Sequence, residues 1–154
     1  MKKISIKTTY KKMLSDVYTP VGIYLRLRDR FRDTVLLESA DNHAAENSYS
    51  FIGINAIGGI EISGFDSIEY KIPGQKPVKQ EIKIVQDIPE TIWAFMNRFD
   101  AEKPADKAAQ LAQGFYGYAT YDAVQFFETI KLKSYTAAPE IPLMRYRLYQ
   151  YVII

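Results

Sequence analysis

The sequence predicts an α+β fold, an antiparallel β-sheet-rich domain with a few helices. Three observations carry this expectation. Short β-prone runs recur through the first half of the chain, separated by turns containing Gly and Pro. One stretch, Ile88 to Phe99, switches to helical spacing. The 154 residues also include 12 Tyr and 8 Phe, several gathered between Phe115 and Tyr151. Aromatic side chains bury large areas and suit pleated surfaces, so they read as a β-rich core. The length fits one domain, 1–154, with room for an appended hairpin.

Ile4 and Ile6 alternate with polar partners, as in a short edge strand. Thr19-Pro20 opens a helix over about Val21 to Leu27. Thr can cap it, and Pro is tolerated at the first helical position, where its missing N–H would be unsatisfied anyway. The charged run Arg26 to Asp33 reads as a turn, and Thr34 to Glu38 (TVLLE) as a strand. Asp41 to Ser48 is polar and reads as a loop, followed by a strand over Tyr49 to Ala56. Gly58-Gly59 and Gly64 bound a further short strand, Ile60 to Ile62. Ser67 to Ile72 and Val78 to Ile84 flank Pro73-Gly74-Gln75 and predict a hairpin. To this point the chain is an antiparallel meander.

Ile88, Ile92, Phe95, Met96 and Phe99 then recur at helical spacing, with Pro89 and Glu90 in the first turn. This predicts an amphipathic helix of about three turns with Trp93 near its apolar edge. Asp100 to Gln110 reads as a loop around Pro104. Glycines within the aromatic run Gly114 to Asp122 signal close backbone approach or a bulge. Asp122 is placed to cap a short helix reaching Glu128. Pro139 and Pro142 break the chain before the strongly β-prone Met144 to Ile154. That apolar end leaves two readings open: a paired terminal strand of a complete small protein, or a piece cut at a domain boundary.

The residue chemistry excludes more than it offers. There is no cysteine, hence no disulfide, thiolate metal site or cysteine nucleophile. A net charge of +2 gives no basic stripe, and no nucleic-acid partner is expected. Lys71, Lys76, Lys79 and Lys83 alternate with Pro73, Pro77 and Glu81, as on a solvated hairpin. The polar start, Met1 to Thr9, is not a signal peptide, and no apolar run approaches a membrane span. His43, the single histidine, sits in a polar loop, so no His-based metal site or catalytic triad is expected. There is no phosphate-cradling glycine motif. Glu38, Asp41 and Glu46 flank one loop without metal-ligand spacing. The residues alone therefore describe a β-rich domain with no self-contained active site.

Three segments say more. They are Thr19-Pro20-Val21 followed by Leu36-Leu37-Glu38-Ser39; Tyr49-Ser50-Phe51-Ile52-Gly53; and Gly114-Phe115-Tyr116-Gly117-Tyr118 continuing through Tyr121-Asp122 to Glu128. In this order and spacing, over essentially the whole chain, they resemble the N-terminal domain of the anthranilate synthase large-subunit family. The resemblance implies the N-terminal part of a larger β-sandwich enzyme, a cytoplasmic lyase of tryptophan biosynthesis that converts chorismate to anthranilate. It implies Mg²⁺ in the full-length enzyme and a glutamine amidotransferase subunit that delivers ammonia. It also implies that the catalytic domain lies beyond Ile154, so this fragment alone is inactive.

In this family the N-terminal domain is regulatory, and L-tryptophan inhibits by binding near the LLES segment. The implied ligand residues here are Glu38 for the ammonium and Ser39 with its hydroxyl and backbone N–H. Met144 would wall the indole slot, and Leu37 and Tyr49, which also read as strand-packing residues, complete the implied set. Ser48 stands where the pattern has Arg, and Gln113 where it has the first Gly of a pair, which bears on the strength of feedback. Aminodeoxychorismate synthase of the folate branch shares this N-terminal architecture and is the alternative. A stand-alone small-molecule-binding regulatory module is the third reading.

Overall fold

The computed structural model describes residues 3–38, 48–130, 132 and 141–154. Ser39, Asp41, His43, Glu46 and Pro139 lie outside the described residues. The chain divides into two compact units. The first takes its described residues from Met1–Ile6, Ile57–Asp100 and Phe115–Leu148; the second takes them from Lys7–Ala56, Ala101–Gly114 and Tyr149–Ile154.

In chain order the strands are β1 (Ile4–Ile6), β2 (Val35–Glu38), β3 (Ser50–Ile62), β4 (Ser67–Lys71), β5 (Val78–Glu81), β6 (Phe99–Ala101), β7 (Tyr116–Ala119) and β8 (Met144–Ile153). The helices are α1 (Pro20–Leu27), α2 (Ile88–Met96) and α3 (Lys107–Leu111), with 3-10 turns at Val85–Asp87 and Tyr121–Phe126. A sheet runs β5-β4-β3-β8-β7, β2 pairs with β3, and β1 pairs with β6 in a two-stranded sheet. The β2–β3, β3–β4, β4–β5 and β7–β8 pairings are all antiparallel. The antiparallel, sheet-rich class and the meander from β2 to β5 thus stand as the sequence predicts. The two strands expected over 49–56 and 60–62 are one continuous strand, because Gly58 and Gly59 are both buried within the sheet rather than turning the chain out of it.

The core of the first unit sits where β3, β4 and β8 meet α2. Ile60, Ile62, Ile68, Ile88, Ile92, Phe95, Leu143 and Met144 are each 9% exposed or less. The expected helical spacing is what drives this: Ile88, Ile92 and Phe95 lie on one face of α2 and are its buried residues. Trp93 lies off that face and is 67% exposed, which corrects its placement near the apolar edge. Phe95, Phe99 and Phe115 form a ring cluster with centroids 5.1–5.7 Å apart, and Tyr70 joins Phe95 at 5.6 Å. Such spacings are those of favourable offset and edge contacts. The helix stops at Met96, short of the expected Phe99. The Arg98 amide bonds back three residues to the Phe95 carbonyl, which tightens the last turn, and Phe99 then reaches the core from β6.

Several local expectations are met in detail. Thr19 Oγ1 accepts from the Gly22 amide at 3.1 Å, with Pro20 as the first residue of α1. The Pro73-Gly74-Gln75 turn is closed by the Gln75 amide donating to the Ile72 carbonyl at 3.0 Å. Close approach explains Gly117: a Cβ there would overlap the Arg145 backbone on the paired strand β8.

Others are corrected. Asp100 to Gln110 is not a loop, because β6 enters it and α3 begins at Lys107. Asp106 caps α3, its carboxylate accepting from the Ala109 amide at 3.1 Å, and Ala108, Ala109 and Gln110 are good helix formers. Asp122 is no cap: Thr120 precedes the 3-10 turn and Asp122 lies within its first residues. The aromatics after Gly114 split between core and surface. Phe115 packs on the core, whereas Tyr121 is 82% exposed and Phe127 52%.

Candidate functional site

Within the second unit, β2 and the first residues of β3 form an antiparallel ribbon. Its register pairs Leu36 with Ile52, Leu37 with Phe51 and Glu38 with Ser50. Directly paired residues share a face, and neighbours along a strand alternate. Leu36, Ile52, Glu38 and Ser50 therefore share one face; Leu37, Tyr49 and Phe51 share the other. Ile52 anchors the first face at 2% exposure. On the other face the Tyr49 and Phe51 rings lie 6.4 Å apart at 47°. Further along, the Tyr149 ring lies against the Gly53 backbone, where a Cβ would meet ring carbons at 2.7 Å.

Glu38 ends β2 and is exposed. Ser50 Oγ donates to its Oε1 at 3.4 Å, a long contact at the limit of a hydrogen bond. An ionised carboxylate has several acceptor positions, so this contact leaves capacity for an ammonium group. The ribbon end thus presents an acid on one face and an apolar face of Leu37, Tyr49 and Phe51 behind it. Ser39, the next residue, lies outside the described residues. Ser48 is exposed two residues before β3 and supplies no cation.

Met144 is placed differently. It is 3% exposed within the core cluster of the first unit, so it has almost no surface to offer a ligand and serves packing. A second acid, Glu61 on β3, belongs to the same unit. Arg145 Nε donates to Glu61 Oε2 at 2.8 Å and Arg147 Nη2 donates to the same oxygen at 2.5 Å. Burial alone would push the Glu61 carboxyl up, but the Arg145 hydrogen bond and the charges of both arginines outweigh it and hold the carboxyl below its ordinary range. This acid is already spent on the sheet.

Two curated proteins align with most of the chain. Anthranilate synthase component 1 of Aquifex aeolicus is 28% identical over 131 residues, covering 81% of this chain and 24% of that protein. Anthranilate synthase component 1 of Cereibacter sphaeroides is 29% identical over 121 residues, covering 77% and 23%. This chain is similar to anthranilate synthase component 1 and has the character of its N-terminal domain. It spans about a quarter of the length of these curated relatives. No profile of a known protein family and no solved structure matches it.

The segments that carry the anthranilate synthase resemblance take defined places. Thr19-Pro20 caps and opens α1; Leu36-Leu37-Glu38 is the end of β2; Tyr49 to Gly53 leads into β3; and Tyr116-Gly117-Tyr118 lies on β7. Leu37, Glu38 and Tyr49 lie near one another along the ribbon, but Glu38 is on one face and Leu37 with Tyr49 on the other. Among the described residues no group of three or more His, Cys, Asp or Glu is arranged to hold a metal. Among the described residues no helix is long and apolar enough to cross a membrane.

Proposed function

We propose that this chain is the regulatory N-terminal part of a cytoplasmic anthranilate synthase component 1 that is inhibited by L-tryptophan. One observation supports the reading: the chain is similar to anthranilate synthase component 1 over most of its length, and its β2–β3 ribbon ends in an exposed carboxylate, Glu38, with Leu37 and Tyr49 on the opposite face. An amino acid ligand needs an acceptor for its ammonium, a donor for its carboxylate and an apolar surface for its side chain. Glu38 is assigned the first and Ser39 the second; Leu37 and Tyr49 turn to the ribbon's other face. An inhibitor held there acts on a distant reaction by binding one arrangement of the full-length enzyme more tightly than another.

In this reading the full-length protein converts chorismate to anthranilate with Mg²⁺, takes ammonia from a glutamine amidotransferase subunit, and carries its reaction chemistry outside these 154 residues. The test is the full-length protein with chorismate, Mg²⁺ and ammonium, followed by anthranilate fluorescence with and without L-tryptophan. Anthranilate formation that falls on adding tryptophan is the expected result, and Ser39→Phe weakens the inhibition. Formation of aminodeoxychorismate instead moves the protein to the folate branch. Anthranilate formation by the 154-residue chain alone overturns the division of labour.

A further inference from the structure

A groove of about 400 Å³ opens in the first unit between the inner face of the β4–β5 hairpin and the flank of α2. Its size is that of a small-molecule pocket. Protein side chains do not fill it: every residue of β5 is exposed, and Val78 is 52% exposed although it pairs with Tyr70. The floor is apolar, formed by Ile72, Ala94 and Phe95, with the Tyr70 ring packed against Phe95.

The polar groups of the wall are one-sided. Arg98 and Lys76 both line the groove, and no acidic side chain is among its described lining residues. Arg98 Nε is shielded from solvent and makes no hydrogen bond. Arg98 Nε finds no acceptor in the protein and Arg98 lines a groove without acids, so an anion there meets a charge that the lining does not neutralise. The guanidinium's fork of donors matches a carboxylate better than it matches a single oxygen. Burial holds the Tyr70 phenol above its ordinary range, so it stays a neutral donor. Thr91 cannot donate as well, because its hydroxyl is already given to the Asp87 carbonyl at 2.7 Å.

We propose that this groove binds a small carboxylate with a flat apolar body. The carboxylate pairs with Arg98, supported by Lys76, and the body lies over Phe95 and Ala94 beneath the hairpin. This site is separate in residues and chemistry from the ribbon end of β2, where the ligand brings an ammonium to an acid.

The test is titration of the ¹⁵N-labelled 154-residue chain with sodium phenylacetate, read at the Arg98 Nε–H and the amides of Gln75 and Thr91. Saturable shifts of these groups are expected in the millimolar range. Uncharged phenylacetamide binds about tenfold more weakly or worse, as loss of a charge-assisted contact requires. Arg98→Gln weakens phenylacetate by a similar factor. Ala94→Leu, which adds bulk at an exposed helix position and fills the groove, does the same without touching the charge. Three outcomes overturn the proposal: no shift at groove residues, equal binding of acid and amide, or unchanged affinity in Ala94→Leu. Shifts confined to Glu38 and Ser50 overturn it too, since they place the ligand elsewhere.

Discussion

Replacing Glu61 by Gln should destabilise the first unit by about 2–3 kcal/mol. The structure sets the figure. Glu61 Oε2 takes two charge-assisted hydrogen bonds, from Arg145 and Arg147, which project from the same face of β8 two residues apart. Glu61 and Arg147 are 15% and 13% exposed at their side chains, whereas Arg145 is 41% exposed. A charge-assisted bond contributes about 1.5–3 kcal/mol, so the sheltered Arg147 contact is worth about 2. Solvent screens the Arg145 contact, which is worth about 0.5–1 kcal/mol. Gln keeps the shape and one acceptor but leaves the Arg147 charge without a counter-charge in a sheltered place.

For a chain of this length the loss should lower the melting temperature by roughly 5–10 °C, measured by calorimetry at pH 7. The pH dependence has a fixed sign. The folded carboxyl ionises below its ordinary value, so its contribution is whole above the unfolded value of about 4.3 and is lost as pH falls through the lower folded value. The gap between wild type and Glu61→Gln should therefore begin to narrow as pH falls below about 4.3 and close only below the lower folded value. A melting shift under about 2 °C at pH 7, or additive losses in Glu61→Gln/Arg147→Gln, would refute the reasoning.

Three further outcomes follow from the packing. Gly117→Ala places a Cβ into the Arg145 backbone across the β7–β8 pair and should cost about 3 kcal/mol in urea unfolding, with loss of amide protection in β7. Phe95→Ala empties the centre of the ring cluster, where Phe95 is 3% exposed, and should cost about 3–5 kcal/mol by the same assay. Burial pushes the Tyr116 phenol up to about 12, so absorbance titration should show one tyrosine ionising there. Because the folded state prefers the neutral phenol, its contribution is whole below pH about 10 and lost between about 10 and 12; Tyr116→Phe should remove that part of the alkaline transition.

The fold was legible where one physical cue dominated. Helical spacing placed Ile88, Ile92 and Phe95 on one buried face, and Pro-Gly closed the β4–β5 turn. It was not legible where cues conflicted. Pro104 suggested irregular chain, yet Asp106 followed by Lys-Ala-Ala-Gln-Leu carries a cap and good helix formers, and α3 forms there. Tyr121 and Phe127 carry the same residue types as Phe115, and period alone does not tell which ring meets the core. Tertiary pairs were invisible in principle. Glu61 is 84 residues from Arg145, and Arg98 became notable only once its Nε proved to be shielded and unpartnered. Of the ligand residues expected from the resemblance, Leu37, Glu38 and Tyr49 lie on the β2–β3 ribbon with Glu38 on the face opposite the other two, while Met144 belongs to the core of the first unit.

Glu38 and Glu61 are acids of one type that differ in how far the protein already uses them. For an ammonium to use Glu61 it would have to displace Arg147, giving up a contact worth about 2 kcal/mol and leaving a sheltered cation unpaired. For it to use Glu38, only a hydroxyl at 3.4 Å need yield, and water already reaches the carboxylate. The cations divide in the same way. Arg147 is satisfied by Glu61, whereas Arg98 Nε is sheltered without a partner beside an unfilled groove. A ligand gains most where the protein has positioned a charge and not yet satisfied it. Under the two proposals made above, the end of β2 would take a cationic group and the flank of α2 an anionic one.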